Sequence, residues 1–179
     1  YYHVINDYLD VTVRTNVYSY GGWSASVSPT YRKRYRYQGR FEIGMQHFKY
    51  NFKGDPDYNL TKTFNLQWSH SVDQRARPGT NFSANVNLRS TRYNELVPGN
   101  PYQNVQNQVN STISYSKTWV GKPFNLTVNA NHNQNNNTRL VNFTLPDVGF
   151  TMTTIYPLQK KTPIGPPKWY EKMSIGYSG

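Results

Sequence analysis

Apolar and polar residues alternate with period two along much of this chain, most clearly in residues 81–89. The apolar positions of that segment are Phe82, Ala84, Val86 and Leu88. Side chains of a β-strand point alternately to its two faces, so the pattern predicts a strand with one apolar and one polar face. Residues 64–69 and 124–131 repeat it with the same polar alphabet of Asn, Ser, Thr and Gln. The chain therefore predicts a sheet that separates an apolar environment from a wet one.

Alternation combined with turn-forming residues predicts a series of strands joined by turns and loops. The predicted strands are residues 8–18, 23–36, 40–52, 60–72, 80–91, 106–119, 123–135, 138–155 and 168–178. Their length suits tilted membrane-crossing strands better than the shorter strands of soluble sandwiches. Tight turns are predicted at residues 37–40 and 120–123, and longer loops at 53–59 and 92–105. Outer-membrane barrels show this contrast between short periplasmic turns and long extracellular loops.

Composition favours a membrane sheet over a soluble one. Only 36% of the residues are hydrophobic and the mean hydropathy is -0.82, yet 16% are aromatic. A transmembrane β-barrel combines these properties, because only every second strand residue faces lipid and aromatic girdles lie at both membrane interfaces. No run of eighteen apolar residues occurs, which excludes a membrane-spanning helix. We predict an all-β, antiparallel transmembrane β-barrel fragment of about eight or nine up-and-down strands, with residues 1–179 part of a single barrel domain.

The polar faces of the predicted strands supply the candidate functional residues. In a barrel these side chains line a hydrated lumen, where Asn, Ser and Thr offer exchangeable hydrogen bonds. The lumen candidates are Asp10, Thr12, Arg14, Asn16, Ser24, Ser26, Ser28, Asn85, Asn87, Arg89, Asn125, Thr127 and Asn129.

The formal net charge of +11 suits nucleic acid, anionic lipid or lipopolysaccharide as a partner. The densest basic stretch is residues 31–37, which interleaves tyrosines with Arg32, Lys33, Arg34 and Arg36. Such a stretch could stack bases and neutralise phosphates. At the end of a barrel strand it would instead form an interfacial belt, with Tyr at head-group level and the cations on lipid phosphates. We favour the belt and expect no nucleic-acid partner, since the belt also explains why Tyr is the dominant aromatic residue.

Two prolines interrupt predicted strands. Pro29 falls inside the second strand and Pro146 inside the eighth. Proline cannot donate to the ladder, so it is confined to edges, bulges or weakly paired places. We therefore expect a local break in pairing at each. Residues 157–167 are too rich in proline to pair and are predicted to form an irregular loop.

No residue pattern points to catalysis, a metal or a cofactor. Cysteine is absent, the four histidines are isolated, and no catalytic or nucleotide-binding fingerprint occurs. Asp55 and Asp57 share one loop, where turn chemistry is the main interpretation and calcium a weak alternative. The N-x-S/T glycosylation sequons arise from the alternation itself, because Asn and Ser or Thr occupy polar positions on either side of an apolar residue. The chain starts at Tyr1 without a leader segment, so we interpret it as a mature or internal fragment.

Four blocks in order carry a resemblance to a known family. They are YYHVINDYLD at 1–10, YRKRYRYQGRF at 31–41, WSHSVDQRARPGTNFSANVN at 68–87, and LPDVGF, IYPLQKK and KWYEK within 145–172. The chain resembles the N-terminal part of the outer-membrane β-barrel of the LptD family of lipopolysaccharide-assembly proteins, in its Bacteroidetes form.

The resemblance implies a non-enzymatic translocon in the bacterial outer membrane that inserts lipopolysaccharide into the outer leaflet. The sugar chain would leave through the polar lumen and the lipid through a lateral gate between weakly paired strands. Implied partners are lipopolysaccharide, outer-membrane lipids, a plug lipoprotein of the LptE type and, through an upstream domain, a periplasmic lipopolysaccharide-bridge protein. Proteobacterial members carry prolines in their first barrel strands. Here Pro29 and Pro146 are the gate candidates.

Two other classes of protein remain open on the sequence. One is a different outer-membrane barrel, either a porin or a nutrient transporter. The other is a soluble sugar-binding β-sandwich, which requires shorter strands and apolar faces that pack on each other.

Overall fold

A computed structural model describes residues 1–90, 108–136, 138–160 and 168–179. In this part the chain forms one antiparallel sheet of ten strands, ordered as in the sequence. The strands are β1 (Tyr2–Asn6), β2 (Leu9–Val17), β3 (Trp23–Lys33), β4 (Tyr37–Tyr50), β5 (Asn59–Val72), β6 (Thr80–Arg89), β7 (Gln108–Thr118), β8 (Phe124–Asn135), β9 (Leu140–Ile155) and β10 (Ile175–Ser178). Two short 3-10 helices span Ser19–Gly21 and Trp169–Lys172. The described residues contain no helix that is long and apolar enough to cross a membrane.

The all-β, up-and-down prediction is confirmed, with ten strands where eight or nine were expected. The sheet is open, and β1 and β10 form its two edges. Strands β2 to β9 follow the predicted segments closely. The predicted loop 92–105 lies outside the described residues, as does most of the proline-rich stretch 157–167.

Three local predictions are wrong. The tight turn lies at 34–36 rather than 37–40, with the amide of Arg36 donating to the carbonyl of Lys33 at 3.0 Å. Tyr35 adopts a φ of 59° there, and β4 already begins at Tyr37. Strand β1 was not predicted. Of the predicted strand 168–178 only β10 is a strand, because Lys168 and Glu171 cap a 3-10 turn before it. The turn at 120–123 is confirmed, since Lys122 donates to the carbonyl of Trp119 at 2.9 Å.

The two faces stay separate across the sheet, because cross-strand partners in a pleated sheet lie on the same face. One row runs through β2 to β6 as Val13, Val27, Ile43, Leu66 and Leu88. The neighbouring row runs as Arg14, Ser26, Gly44, Asn65 and Arg89. We call the first side the apolar face and the second the polar face. A slip of one residue between any two strands would mix them.

The apolar face has no packing partner within the described residues. Its side chains include Met45, Phe64 and Phe143, which are 55%, 53% and 72% exposed. The accessible surface of the chain is 13186 Å², against about 9,000 Å² for a compact monomer of this mass. A sugar-binding sandwich would require a second apolar sheet opposite this face. The described part of the chain supplies only one sheet.

Both prolines lie at irregular places in the ladder. Between β3 and β4 the pairing passes from Val27 with Ile43 to Thr30 with Arg40, and it skips Ser28 and Pro29. In β9 the register shifts beside Pro146, where two residues of β9 lie opposite Ala130 of β8. Such a bulge is a place where a strand tolerates a residue without a donor.

The connections lie at two ends of the sheet. The turn end holds residues 7–8, 34–36, 73–79, 119–123 and the long connection 156–174. The loop end holds residues 18–22, 51–58, 90–107 and 136–139. The longest connections thus occur at both ends, and the predicted contrast of short turns with long loops is only partial.

Candidate functional site

The polar face brings together all thirteen residues that alternation singled out. In β2 and β3 six of them pair with one another, and Asp10 lies opposite Thr30. The side-chain amide of Asn16 donates to Ser24 Oγ at 3.1 Å. In β6, Asn87 lies opposite Gln67 of β5. In β8, Asn129 lies opposite Ser114 of β7. The polar face is therefore one continuous hydrogen-bonding surface from β2 to β8.

Three overlapping cavities cross the polar face from the turn end to the loop end. The largest, about 730 Å³, lies near the turn end and has Asp10 and Arg32 in its wall. It shares Arg40, Ser69 and Asn85 with a small cavity of about 70 Å³. A third cavity, of about 210 Å³, lies at the loop end. It shares Gln67 and Asn87 with the small cavity. We call this series of cavities the polar path.

The chemistry of the polar path changes along its length. Near the turn end it carries charge, including Arg32, Asp10 and the ion pair of Arg40 with Glu42 at 3.2 Å. At the loop end its side chains are mostly carboxamides, with Arg89 as the cation. The path therefore offers ionic contacts at one end and neutral hydrogen bonds at the other.

The structure separates the four cations of the basic stretch. Arg32 lies on the polar face opposite Gln38, and Lys33 lies on the apolar face opposite Tyr37. Arg34 and Arg36 occupy the turn itself. A second cavity of about 730 Å³ at the turn end is lined by all four. Arginine and lysine side chains around one cavity can offer charge-assisted hydrogen bonds to phosphate or carboxylate groups.

Tyrosines accompany these cations at the turn end. The Lys33 ammonium lies 5.5 Å from the centre of the Tyr8 ring, and the Arg34 guanidinium lies 4.9 Å from that of Tyr35. Both distances fall within the range of a cation–π contact. The amphipathic tyrosine rings and long basic side chains are the residue types of a membrane interface.

An aromatic cluster on the apolar face was not predicted. The Tyr31 hydroxyl accepts from Trp68 Nε1 at 2.9 Å and lies 2.7 Å from His70 Nδ1. The rings of Tyr37 and Phe82 pack against His70. We call these five residues the aromatic cluster. The detectable signal was the spacing of Trp68 and His70, which puts both rings on one face of a strand.

A glycine makes room for this cluster. Gly39 lies opposite Tyr31, and the Tyr31 ring covers it so closely that a Cβ there would collide with the ring. The same Cβ would lie 2.7 Å from the carbonyl oxygen of Ser69. Gly39 is thus needed for close approach inside β4 rather than for a turn.

Polar residues also interrupt the apolar face near the loop end. Ser111, His132 and Gln134 occupy apolar-face positions of β7 and β8, and all three are buried. Ser111 Oγ lies 3.1 Å from His132 Nδ1, and the His132 ring packs on Phe143. We call Ser111, His132 and Gln134 the polar inset. The sequence signal was a break in alternation, since all three stand where apolar residues are expected.

The described residues contain no group of His, Cys, Asp or Glu that could hold a metal ion. The Asp55 carboxylate instead accepts from the amide of Phe52 at 3.0 Å, and the amide of Tyr58 donates to the Asp55 carbonyl at 3.1 Å. These bonds close the loop, as turn chemistry predicts.

The fold defines an antiparallel up-and-down sheet protein with one apolar face and one polar face. A family model described as LptD protein matches residues 1–179, and the chain belongs to that family. The family takes part in lipopolysaccharide transport as a transport component rather than an enzyme, and is generally an outer-membrane one. No curated protein and no solved structure matches the chain.

Proposed function

We propose that this chain forms the first ten strands of an outer-membrane β-barrel that inserts lipopolysaccharide into the outer leaflet. One observation carries the proposal. The register keeps an exposed apolar face and a hydrogen-bonding polar face apart across the sheet. Lipid is the natural solvent for the apolar face, and water and sugar for the polar one. The match to a lipopolysaccharide-transport family supports lipopolysaccharide as the transported molecule.

In this proposal the polar path guides the sugar part of lipopolysaccharide. Asn, Gln, Ser and Thr side chains both donate and accept hydrogen bonds. A sliding saccharide can therefore exchange hydrogen-bond partners without being held at one strong binding site. The cations at the turn end, Arg32 to Arg36, would hold phosphates of the lipid or its inner sugars. The turn end would then lie on the periplasmic side.

The gate proposal concerns the β1 edge of the sheet. Strand β1 has five residues, and its pairing with β2 reaches only to Val13. Residues 14–17 of β2 extend beyond it. We propose that this edge is one side of the lateral gate and that the breaks at Pro29 and Pro146 let the sheet flex nearby. The plug lipoprotein of the LptE type and the periplasmic bridge protein belong to this proposal as partners of the whole protein.

The test is depletion of the full-length protein in its lipopolysaccharide-producing host, with lipopolysaccharide measured on intact cells. We expect surface lipopolysaccharide to fall and the internal pool to rise. Unchanged surface lipopolysaccharide would overturn the proposal. Conductance through the purified barrel, combined with that result, would point to a porin or nutrient transporter.

A matched pair of variants then tests the path itself. Ser69→Trp places a bulky ring where two cavities of the path overlap. Ser116→Trp adds the same ring to the same face in β7, outside the wall of these cavities. We expect Ser69→Trp to complement depletion poorly and Ser116→Trp to complement it well, at equal amounts of folded barrel.

A further inference from the structure

The ladder between β6 and β7 closes along only part of its length. Pairing runs from Thr80 with Lys117 to Asn85 with Thr112. Beyond that point both strands remain regular, because Asn87 still pairs with β5 and Asn110 still pairs with β8. The two strands therefore diverge towards the loop end and leave a cleft between them. We call this opening the β6–β7 cleft.

Side chains replace the missing ladder bonds at the edges of the cleft. The amide of Asn87 donates to Ser111 Oγ at 2.9 Å, and that hydroxyl lies 2.8 Å from the Asn87 carbonyl. The Asn87 side chain donates to the carbonyl of Asn110 at 3.1 Å. Gln134 donates to the carbonyl of Arg89 at 2.9 Å. Main-chain groups in a sheet need partners, so a cleft whose edges are bonded this way is a stable feature of the fold.

Two members of the polar inset, Ser111 and Gln134, bond the main chain of β6 across the gap. In a closed ladder the position of Ser111 would hold an apolar side chain packed across the strands, as Ile113 packs opposite Ala84. Ser111 instead turns its hydroxyl into the gap, with His132 beside it. Residues that break the alternation therefore lie at the cleft and bond its edges.

The cleft opens onto the polar face as the loop-end cavity of the polar path, about 210 Å³ in volume. This volume is comparable to about seven water molecules, which suits one sugar ring. Its side-chain donors and acceptors are Asn65, Gln67, Asn87, Arg89, Gln108 and Asn110. Among the described residues of this wall there is no carboxylate, whereas the turn-end cavity contains Asp7 and Asp10.

We propose that the β6–β7 cleft is a binding subsite for an uncharged sugar ring. Planar carboxamides that donate and accept side by side match the adjacent hydroxyls of a pyranose. The turn end, where arginines and carboxylates gather, is the part of the path suited to charged groups. This inference rests on the proposed function, because it assigns a step along the same sugar path.

The test measures binding of maltohexaose, an uncharged oligosaccharide, to the full-length protein in detergent by isothermal titration calorimetry. Gln67→Leu removes a carboxamide that takes no part in the bonds at the cleft edges described above. Asn131→Leu removes a carboxamide from the same face outside the cleft. We expect Gln67→Leu to weaken binding about five-fold and Asn131→Leu to leave it unchanged. Asn87→Leu should weaken binding more, because it also alters a cleft edge.

Excess inorganic phosphate should not displace maltohexaose. Absence of binding by the unmodified protein, equal effects of Gln67→Leu and Asn131→Leu, or displacement by phosphate would each overturn the inference. Heat-dependent migration of the unboiled barrel on a gel confirms that each variant is folded. Loss of surface lipopolysaccharide on depletion is measured separately, so failure of the subsite is distinguishable from failure of the proposed function.

Discussion

The β4–β5 pair and the β6–β7 pair share the same alternation, but main-chain pairing covers a different fraction of the strands in each. The β4–β5 ladder runs the full length of both strands, from Tyr37 with Val72 to Tyr50 with Asn59. The β6–β7 ladder stops at Asn85 with Thr112. Sequence alternation therefore assigns the faces of a strand but does not ensure that two strands remain together.

The apolar face also differs between the two pairs. In β4–β5 it carries Phe41 opposite Trp68, Ile43 opposite Leu66 and Met45 opposite Phe64. In β6–β7 the paired apolar positions are Phe82 with Tyr115 and Ala84 with Ile113, and Ser111 then interrupts the apolar side of β7. Cross-strand side-chain pairs contribute to the stability of a sheet. Beyond this interruption the ladder is open, and polar side chains bond the main chain instead.

The largest expected effect comes from a charge on the closed pair's apolar face. Ile43 lies in the middle of β4, and Ile43→Arg should lower the free energy of unfolding in phospholipid bilayers by about 2–4 kcal/mol, because the cation would face hydrocarbon. The matched control is Gln67→Arg on the polar face, which should change it by less than about 0.5 kcal/mol. Denaturant titration of the full-length barrel measures both. Similar losses for the two variants would contradict a lipid-facing apolar side.

A somewhat smaller loss is expected at the glycine beneath the aromatic cluster. Gly39→Ala should cost about 1–3 kcal/mol, since the added methyl collides with the Tyr31 ring. Gly176→Ala in β10 is the control, because its Cβ would lie 3.1 Å from the hydroxyl of Thr154, which can move aside. The same denaturant titration applies. If Gly39→Ala proved as mild as the control, close contact with the ring would not be what requires glycine.

The β6–β7 pair should lose stability when a side-chain bond at the edge of its cleft is removed. Ser111→Ala leaves the main chain of Asn87 without its hydroxyl partner and should cost about 1–2 kcal/mol. Hydrogen exchange at the Asn87 amide should rise with it. Ser114→Ala removes a hydroxyl 2.8 Å from Ser83 Oγ in the closed part and should leave exchange at Asn87 unchanged. Unaltered exchange in Ser111→Ala would show that the hydroxyl does not support the cleft.

The smallest effect is expected from the ion pair within β4. The Arg40 side chain is 50% exposed, and an exposed pair contributes only about 0–1 kcal/mol. Glu42→Gln should therefore change unfolding slightly, and the change should shrink further in high salt. A loss well above 1 kcal/mol that persists in salt would mean that Glu42 does more than form an exposed ion pair within β4.

The alternation was enough to predict β2 to β9 and the shared face of residues such as Asn16, Asn87 and Asn129. It missed β1, whose residues are held by pairing with β2, including the bond between the amino group of Tyr1 and the carbonyl of Val13 at 2.7 Å. It also misassigned Gly39, because local turn chemistry cannot reveal a ring that arrives from another strand.

The polar path and the β6–β7 cleft lay beyond the sequence for a related reason. Ser111 and Gln134 break the pattern visibly, but their meaning depends on which residues stand opposite them. Cross-strand partners are set by the whole sheet. The sequence of a single strand shows which of its faces is polar. It does not show where two neighbouring strands separate and leave a cleft.

The contact of Tyr31 with Gly39 has a consequence for how the sheet assembles. Alternation rejects any misalignment by an odd number of residues, but it accepts a shift by two, which keeps apolar with apolar. Such a shift between β3 and β4 would set the Tyr31 ring against Phe41 or Tyr37 instead of glycine. Only the native alignment leaves room for the ring and brings its hydroxyl to Trp68 and His70. The lack of a side chain at Gly39 therefore favours one register of β3 against β4, which alternation alone would not select.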